Sequence, residues 1–203
     1  MSRTVKEMVE EKIKRAPKGK LVVLSDFSEL GSYKAIQKTI SQMMGVDLLL
    51  PVYAGVYKKP NFNELLKKEI PALPSEIAEA YARKNNWKIA PAGDIALNQL
   101  GLTTQVPNTY QYISSGPTRK LELENGRKIE FKHVELRESD MPQVSSMVIE
   151  ALKALGKDKI DDTVLQIIKI KLTDKELRQL SKNVIRARSW IRDAVLRMEE
   201  LDD

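Results

Sequence analysis

Residues 25–59 read SDFSELGSYKAIQKTISQMMGVDLLLPVYAGVYKK, and the order of signals in them constrains the fold more than any other stretch. Ser25 or Asp26 can cap a short helix, with Glu29 spaced for a reciprocal cap. Gly31 marks a tight turn, Ser32 caps a second helix over 32–44, and Gly45 ends it. Residues 48–53 and 55–58 then read as a small hairpin. The N-terminal segments fit around this core. A helix is predicted over 3–15, with Val5, Met8, Val9 and Ile13 on one face. Pro17-Lys18-Gly19 breaks it, and 21–24 is a short apolar strand. Helix, strand, helix, turn, helix, hairpin is the order of a winged helix-turn-helix.

The second helix divides into two faces. Tyr33, Ile36, Ile40 and Met43 recur at helical spacing and are predicted to be buried. Lys34, Gln37, Lys38 and Ser41 recur on the other side. These are long or polar donors suited to base edges and phosphates. With Ser32 at the helix start and Lys58 and Lys59 at the end of the hairpin, they are the candidate DNA-binding residues. An amphipathic surface helix would show the same faces, so charge has to carry part of the argument. The net charge of the chain is +6. Residues 1–60 hold 11 Lys/Arg against 6 Asp/Glu, residues 61–142 are balanced, and residues 143–203 carry a net +1. The excess sits in the predicted winged helix, where it supplies the sequence-independent part of DNA affinity.

Pro60, Pro71 and Pro74 punctuate the stretch after the hairpin and suggest a domain boundary near 60. A connecting helix is expected over 63–69, another from Ser75 to about Lys84, and a third over 92–100. Residues 109–134 change to period two, the pattern of strands. A three-residue loop Glu124-Asn125-Gly126, with Gly126 left-handed, would pair Leu121 with Ile129, Glu122 with Lys128 and Lys120 with Glu130. Helices return from Gln143. One over 164–170 is apolar nearly all round and is expected to be buried. Thr173 and Glu176 form a capping box, and a last helix is predicted over 183–201. The expected fold class is α+β: an N-terminal winged helix-turn-helix (1–60), then an α+β domain (61–203) with a small antiparallel sheet and a helical C-terminal part.

The chain has no cysteine and one histidine, which argues against thiolate zinc sites and His-based triads. No phosphate-cradling glycine motif occurs. Asp94 with Glu130-Phe131-Lys132 resembles the Asp…Glu-x-Lys arrangement of metal-dependent nucleases. The hairpin register already accounts for Glu130 through Lys120, so the expectation is no enzyme, no metal and no cofactor. Asp161-Asp162 reads as a helix start. No run approaches the roughly 20 apolar residues of a membrane span, and no leader is visible, so a cytoplasmic protein is expected.

Residues 82–107 read ARKNNWKIAPAGDIALNQLGLTTQVP and residues 112–119 read YISSGPTR. Ala82, Arg83, Trp87, Ile89, Pro91 and Gly93, then Ala96, Leu100, Gly101, Leu102, Gln105, Val106 and Pro107, then Gly116, Pro117 and Arg119 together resemble the AbiEi-type antitoxin and viral-defence regulator family of bacteria. The resemblance covers roughly residues 5–180. It implies a winged-helix autorepressor that binds double-stranded DNA at its own promoter. It also implies an antitoxin activity against a nucleotidyltransferase-type toxin, which need not be bound directly. Against the family pattern, this hairpin lacks arginines before its end, leaving Lys58 and Lys59 as the nearby cations. Arg83, Gln105 and Arg119 are the candidate partner contacts. Two rival readings are a protein-interaction module that uses the winged helix without DNA, and the nuclease.

Overall fold

Thr4 and Glu7 start the first helix reciprocally. The Glu7 amide donates to the Thr4 hydroxyl (3.2 Å) and the Thr4 amide to the Glu7 carboxylate (2.8 Å). The helix, α1 (Val5–Arg15), buries Val9 and Ile13. The computed structural model describes residues 3–135 and 140–201, with Arg186 by its backbone only. The chain is α+β and divides into two compact units, Met1–Trp87 and Lys88–Asp203.

In the first unit, β1 (Leu21–Val23) is followed by a 3₁₀ turn (Leu24–Leu30) in place of the expected short helix. Its start is held by Asp26, whose carboxylate accepts the Val23 amide at 2.9 Å. Glu29 instead pairs with Lys12 at 2.5 Å. Helix α2 (Tyr33–Met44) begins at Ser32, whose hydroxyl accepts the Ala35 amide. The hairpin β2 (Leu50–Tyr53) and β3 (Val56–Lys58) joins β1 in an antiparallel sheet of order β1-β3-β2. Val9, Ile13, Val22, Phe27, Ile36, Ile40, Met43 and Leu49 form the core beneath it.

The unit does not stop near Pro60. Residues 63–69 form no helix. They belong to a second hairpin, β4 (Phe62–Asn63) and β5 (Lys68–Glu69). Asn63 turns the chain by accepting the Leu66 amide at 3.0 Å, and Lys67 takes a positive φ of 49°. No core lies under this segment: Leu65 is 95% exposed, so a helix here would have had nothing to bury. Helix α3 (Pro74–Lys84) then packs on β1 and β3 and buries Ile77, Ala78 and Tyr81. The Tyr81 ring meets the edges of Tyr53 (5.9 Å) and Trp87 (5.7 Å). These contacts make α3 part of the first unit.

In the second unit, β6 (Ile89–Pro91), β7 (Thr109–Ser114), β8 (Arg119–Glu122) and β9 (Lys128–His133) form one sheet of order β6-β7-β9-β8. The β8–β9 register is the expected one, with Gly126 at φ 76°. The sheet is not wholly antiparallel, because β7 and β9 run parallel. The turn through Gly116 and Pro117 carries β8 one strand position away from β7, and β9 fills the gap. Helix α4 (Gly93–Gln99) lies between β6 and β7 in sequence. Then come α5 (Gln143–Leu155), α6 (Asp162–Ile170), α7 (Asp174–Asn183) and α8 (Ser189–Glu200). A 3₁₀ turn (Val184–Arg186) separates the last two, so the final helix starts later than the sequence suggested. Ala96, Leu100, Val148, Leu152, Leu165, Ile168, Leu180, Ile191, Val195 and Met198 belong to the core of this unit. Helix α6 is covered on one face only, with Leu165 and Ile168 buried and Ile170 74% exposed. No helix among the described residues is long and apolar enough to cross a membrane.

Candidate nucleic-acid interface

Helix α2 buries Ile36, Thr39, Ile40 and Met43. This i, i+3, i+4, i+7 set corrects the expected stripe at its first member. Tyr33 is 67% exposed. It sits in the first turn, beyond the edge of the core, one helical turn from Gln37. Thr39 occupies the core in its place, its hydroxyl donating to the Ala35 carbonyl at 2.9 Å. A satisfied threonine is invisible to a purely apolar pattern.

The outward face carries Ser32, Lys34, Gln37, Lys38 and Ser41, all exposed. Lys34 and Lys38 make no ion pair among the described residues, a condition they share with the exposed Lys6, Lys18 and Lys20 of the same unit. Much of the basic charge on α1 is neutralised locally: Arg3 with Glu11 (2.8 Å), Lys14 with Glu10 (2.7 Å), Arg15 with Glu11, and Lys12 with Glu29. Hydrogen bonds from Lys14 and Lys12 hold the Glu10 and Glu29 carboxyls below their ordinary value. With those pairs set aside, Lys34 and Lys38 place two adjacent unpaired ammoniums on one face of α2.

The two hairpin lysines do not belong to this surface. Lys58 is 3% exposed and pairs with Glu69 at 2.7 Å while donating to the Ile70 carbonyl. It is a buried strut beneath the β4–β5 hairpin. Lys59 donates to the carbonyls of Lys14 and Ala16, each at 2.6 Å, and so closes the C-terminal end of α1. The Lys58 ammonium is enclosed, and Lys59 has two of its three donors committed within the fold.

Arg83 is likewise engaged within the first unit. Its guanidinium reaches both Asp26 oxygens (2.8 and 3.3 Å) and the Leu21 carbonyl (3.2 Å), tying α3 to β1 and the 3₁₀ turn. It is an internal anchor, not a partner contact. The other two candidates lie in the second unit. Gln105 is exposed, its carbonyl accepting from Asn98 at 3.1 Å, and Arg119 is exposed on the edge strand β8. Glu130 pairs with Lys120 at 2.8 Å, as the register required. His133 donates through Nδ1 to the Gly116 carbonyl at 2.9 Å, which ties it to the β7–β8 turn. Asp94 is exposed in the first turn of α4.

One residue near this surface was not legible as part of it. Lys84, at the end of α3, donates to the Ala54 carbonyl at the β2–β3 turn (2.7 Å). It lines a cleft of about 570 Å³ together with Tyr33 and Gln37 of α2. A domain boundary at 60 had separated it from the helix it faces.

The family described as "Family of unknown function (DUF6088)" matches residues 8–180. The chain belongs to this family. The family's span runs from α1 into α7 and includes α2, α3 and every candidate residue above. No functionally curated protein matches the sequence. The crystal structure of the RV2827C protein from Mycobacterium tuberculosis is similar at a TM-score of 0.45 and 12% identity, over 98% of this chain and 78% of that one.

Proposed function

We propose that the first unit is a winged helix-turn-helix that binds double-stranded DNA at the protein's own promoter. The observation that carries this reading is the outward face of α2, where Lys34 and Lys38 stand unpaired beside Gln37 and Ser41. The arrangement around it supports the reading: α2 follows the 3₁₀ segment Leu24–Leu30, and the β2–β3 hairpin is paired to β1 through a central β3. A helix with long donors on one face and α1 packed against the other can enter a major groove. The test is the double change Lys34→Ala with Lys38→Ala, followed by gel shift across a salt series. The log–log slope should fall by about 0.9 per lost phosphate contact. Unchanged affinity and slope in a folded variant would sink the assignment.

The second part of the proposal is that this protein is an antitoxin, active against a nucleotidyltransferase-type toxin encoded alongside and working from the cytoplasm without catalysis of its own. Its support is the set of motifs between Ala82 and Arg119 that resembles the AbiEi-type family. Co-expression with the neighbouring gene tests it: the full chain should restore growth that the neighbour alone arrests. A neighbour that is harmless, or an arrest that the chain does not relieve, refutes it. A protein-interaction role for the first unit is the second reading. The exposed Phe62, Leu65 and Leu66 on the β4–β5 hairpin favour it. Binding to the upstream duplex that weakens steeply with salt decides for DNA.

A further inference from the structure

We propose that Lys84, supplied by α3, is a DNA-backbone contact, and that the cleft it lines receives one phosphodiester segment of the duplex. The inference rests on the DNA-binding reading above and adds to it a site on a different element.

The need for such a contact follows from the hairpin. A wing beside a recognition helix usually offers cations to the backbone, and here Lys58 is enclosed by the fold and Lys59 is tied to the end of α1 by two of its three donors. Lys84 stands where they are missing. Its ammonium donates to the Ala54 carbonyl at the turn of the hairpin and lies over the Tyr81 ring at 5.4 Å. An ammonium has three donors. One is used by Ala54, and the side chain is exposed, so two remain for an anion. The position is also fixed. Gly55 has a φ of 75°, and a Cβ there would lie 2.9 Å from both the Cε and the Nζ of Lys84. The glycine makes the room in which the lysine head rests against the hairpin.

The cleft sets polar groups that can meet an anion beside the apolar walls of Leu24, Ile36 and Tyr57. Ser25, Ser28, Tyr33, Gln37, Gly55 and Lys84 are among its walls, and no carboxylate lines it. Hydroxyls, an amide and one cation without an acid can all serve phosphate oxygens. The neighbouring cleft of about 490 Å³ provides the contrast. It holds Lys18, Lys20, Lys58 and Arg83, but Glu76 and Glu79 line it too. Two of its cations, Lys58 and Arg83, are already paired with Glu69 and Asp26 within the fold. Of these two clefts, the first alone is acid-free and reaches the outward face of α2, through Tyr33 and Gln37.

The experiment uses the full chain, the duplex from upstream of its own gene and a mixed-sequence duplex of equal length. Lys84→Gln should weaken binding to both duplexes by a similar factor, because a backbone contact carries no sequence information. It should also lower the log–log salt slope by about 0.9, and Lys84→Arg should restore the slope. Weaker binding with an unchanged slope would mean that Lys84 only steadies the hairpin, and would overturn the proposal. Should Lys84→Gln fail to fold, lysine acetylation of the wild-type protein supplies the answer. DNA should slow modification of Lys84 together with Lys34 and Lys38, and equal rates with and without DNA overturn the proposal. Stronger competition by single-stranded RNA than by duplex would overturn the assignment to DNA. The two readings fail separately. No salt-dependent binding by the wild type removes the DNA-binding reading, whereas a slope that responds at Lys34 and Lys38 but not at Lys84 removes only this inference.

Discussion

Single residues in this protein have roles that their type alone does not disclose. Gly31 reads in the sequence as a turn glycine, but its backbone is extended, at φ 166° and ψ −171°. What requires glycine is space. A Cβ at this position would lie 2.6 Å from a methyl of Val5, where α1 passes close to the turn. Gly31→Ala should therefore destabilise the first unit by about 1–3 kcal/mol through overpacking. Val5→Ala should relieve it, so that the double variant is more stable than the sum of the singles by at least about 0.5 kcal/mol. Additive denaturation midpoints would refute the contact. Lys58 teaches the same lesson about charge. Burial pushes the Glu69 carboxyl up, but the Lys58 ammonium and the Asn61 amide outweigh it and hold the group below its ordinary value of 4.5. A carboxyl depressed in the folded state stabilises fully above about pH 4.5 and loses that contribution as pH falls through the folded value. Urea midpoints measured from pH 7 down to pH 3 should show a loss that Glu69→Gln flattens. Glu69→Ala should cost about 1–3 kcal/mol at neutral pH, because it leaves the Lys58 charge buried without its partner. Lys58→Met, which keeps the buried volume, should cost less.

At the scale of elements, local chemistry was legible wherever a motif satisfies itself. The β8–β9 hairpin is set by Gly126 and by a period-two alternation, both local, and its three pairs adopt the expected register. Its surface pair Lys120–Glu130 is a consequence of that register. Glu130→Gln should change stability by less than about 1 kcal/mol and leave biological activity near wild type. Nicking of supercoiled plasmid with Mg²⁺ or Mn²⁺, lost in Glu130→Gln, would show an active site instead. The capping box at Thr173 was readable for the same reason. Residues 63–69 were not. Leu65, Leu66 and their charged neighbours suit a helix by propensity, but propensity decides little without a face to bury. Asn63 closes a turn instead, and Glu69 is drawn to Lys58.

For the whole molecule, the consequence is a first unit that ends at Trp87. Residues 61–87 supply Glu69 to Lys58, Arg83 to Asp26 and Tyr81 to Tyr53. A fragment of residues 1–60 loses all three and should melt without a cooperative transition. A fragment of residues 1–87 should unfold cooperatively, with circular dichroism as the measurement. A sharp transition in the shorter fragment would show that α3 is dispensable. If the proposed antitoxin activity resides in the second unit, residues 88–203 alone should relieve the arrest caused by the neighbouring gene, and failure of that fragment when folded would refute the placement.

The sequence by itself determined the elements whose information is contained within a few residues. These are α1 and α2 with their caps, the β2–β3 and β8–β9 hairpins, and the outward polar face of α2. In each, the deciding forces act between near neighbours along the chain. Tertiary structure alone decided which charges are free. Lys58, Lys59 and Arg83 are as basic in sequence as Lys34, Lys38 and Lys84. The first three meet a carboxylate or backbone carbonyls within the fold, while Lys34 and Lys38 meet none among the described residues and Lys84 keeps donors to spare. It also decided that β9 enters between β7 and β8, and that Tyr33 faces water while Thr39 does not. Each of these outcomes depends on groups brought together from distant parts of the chain or on the extent of the core, and neither is written in local spacing.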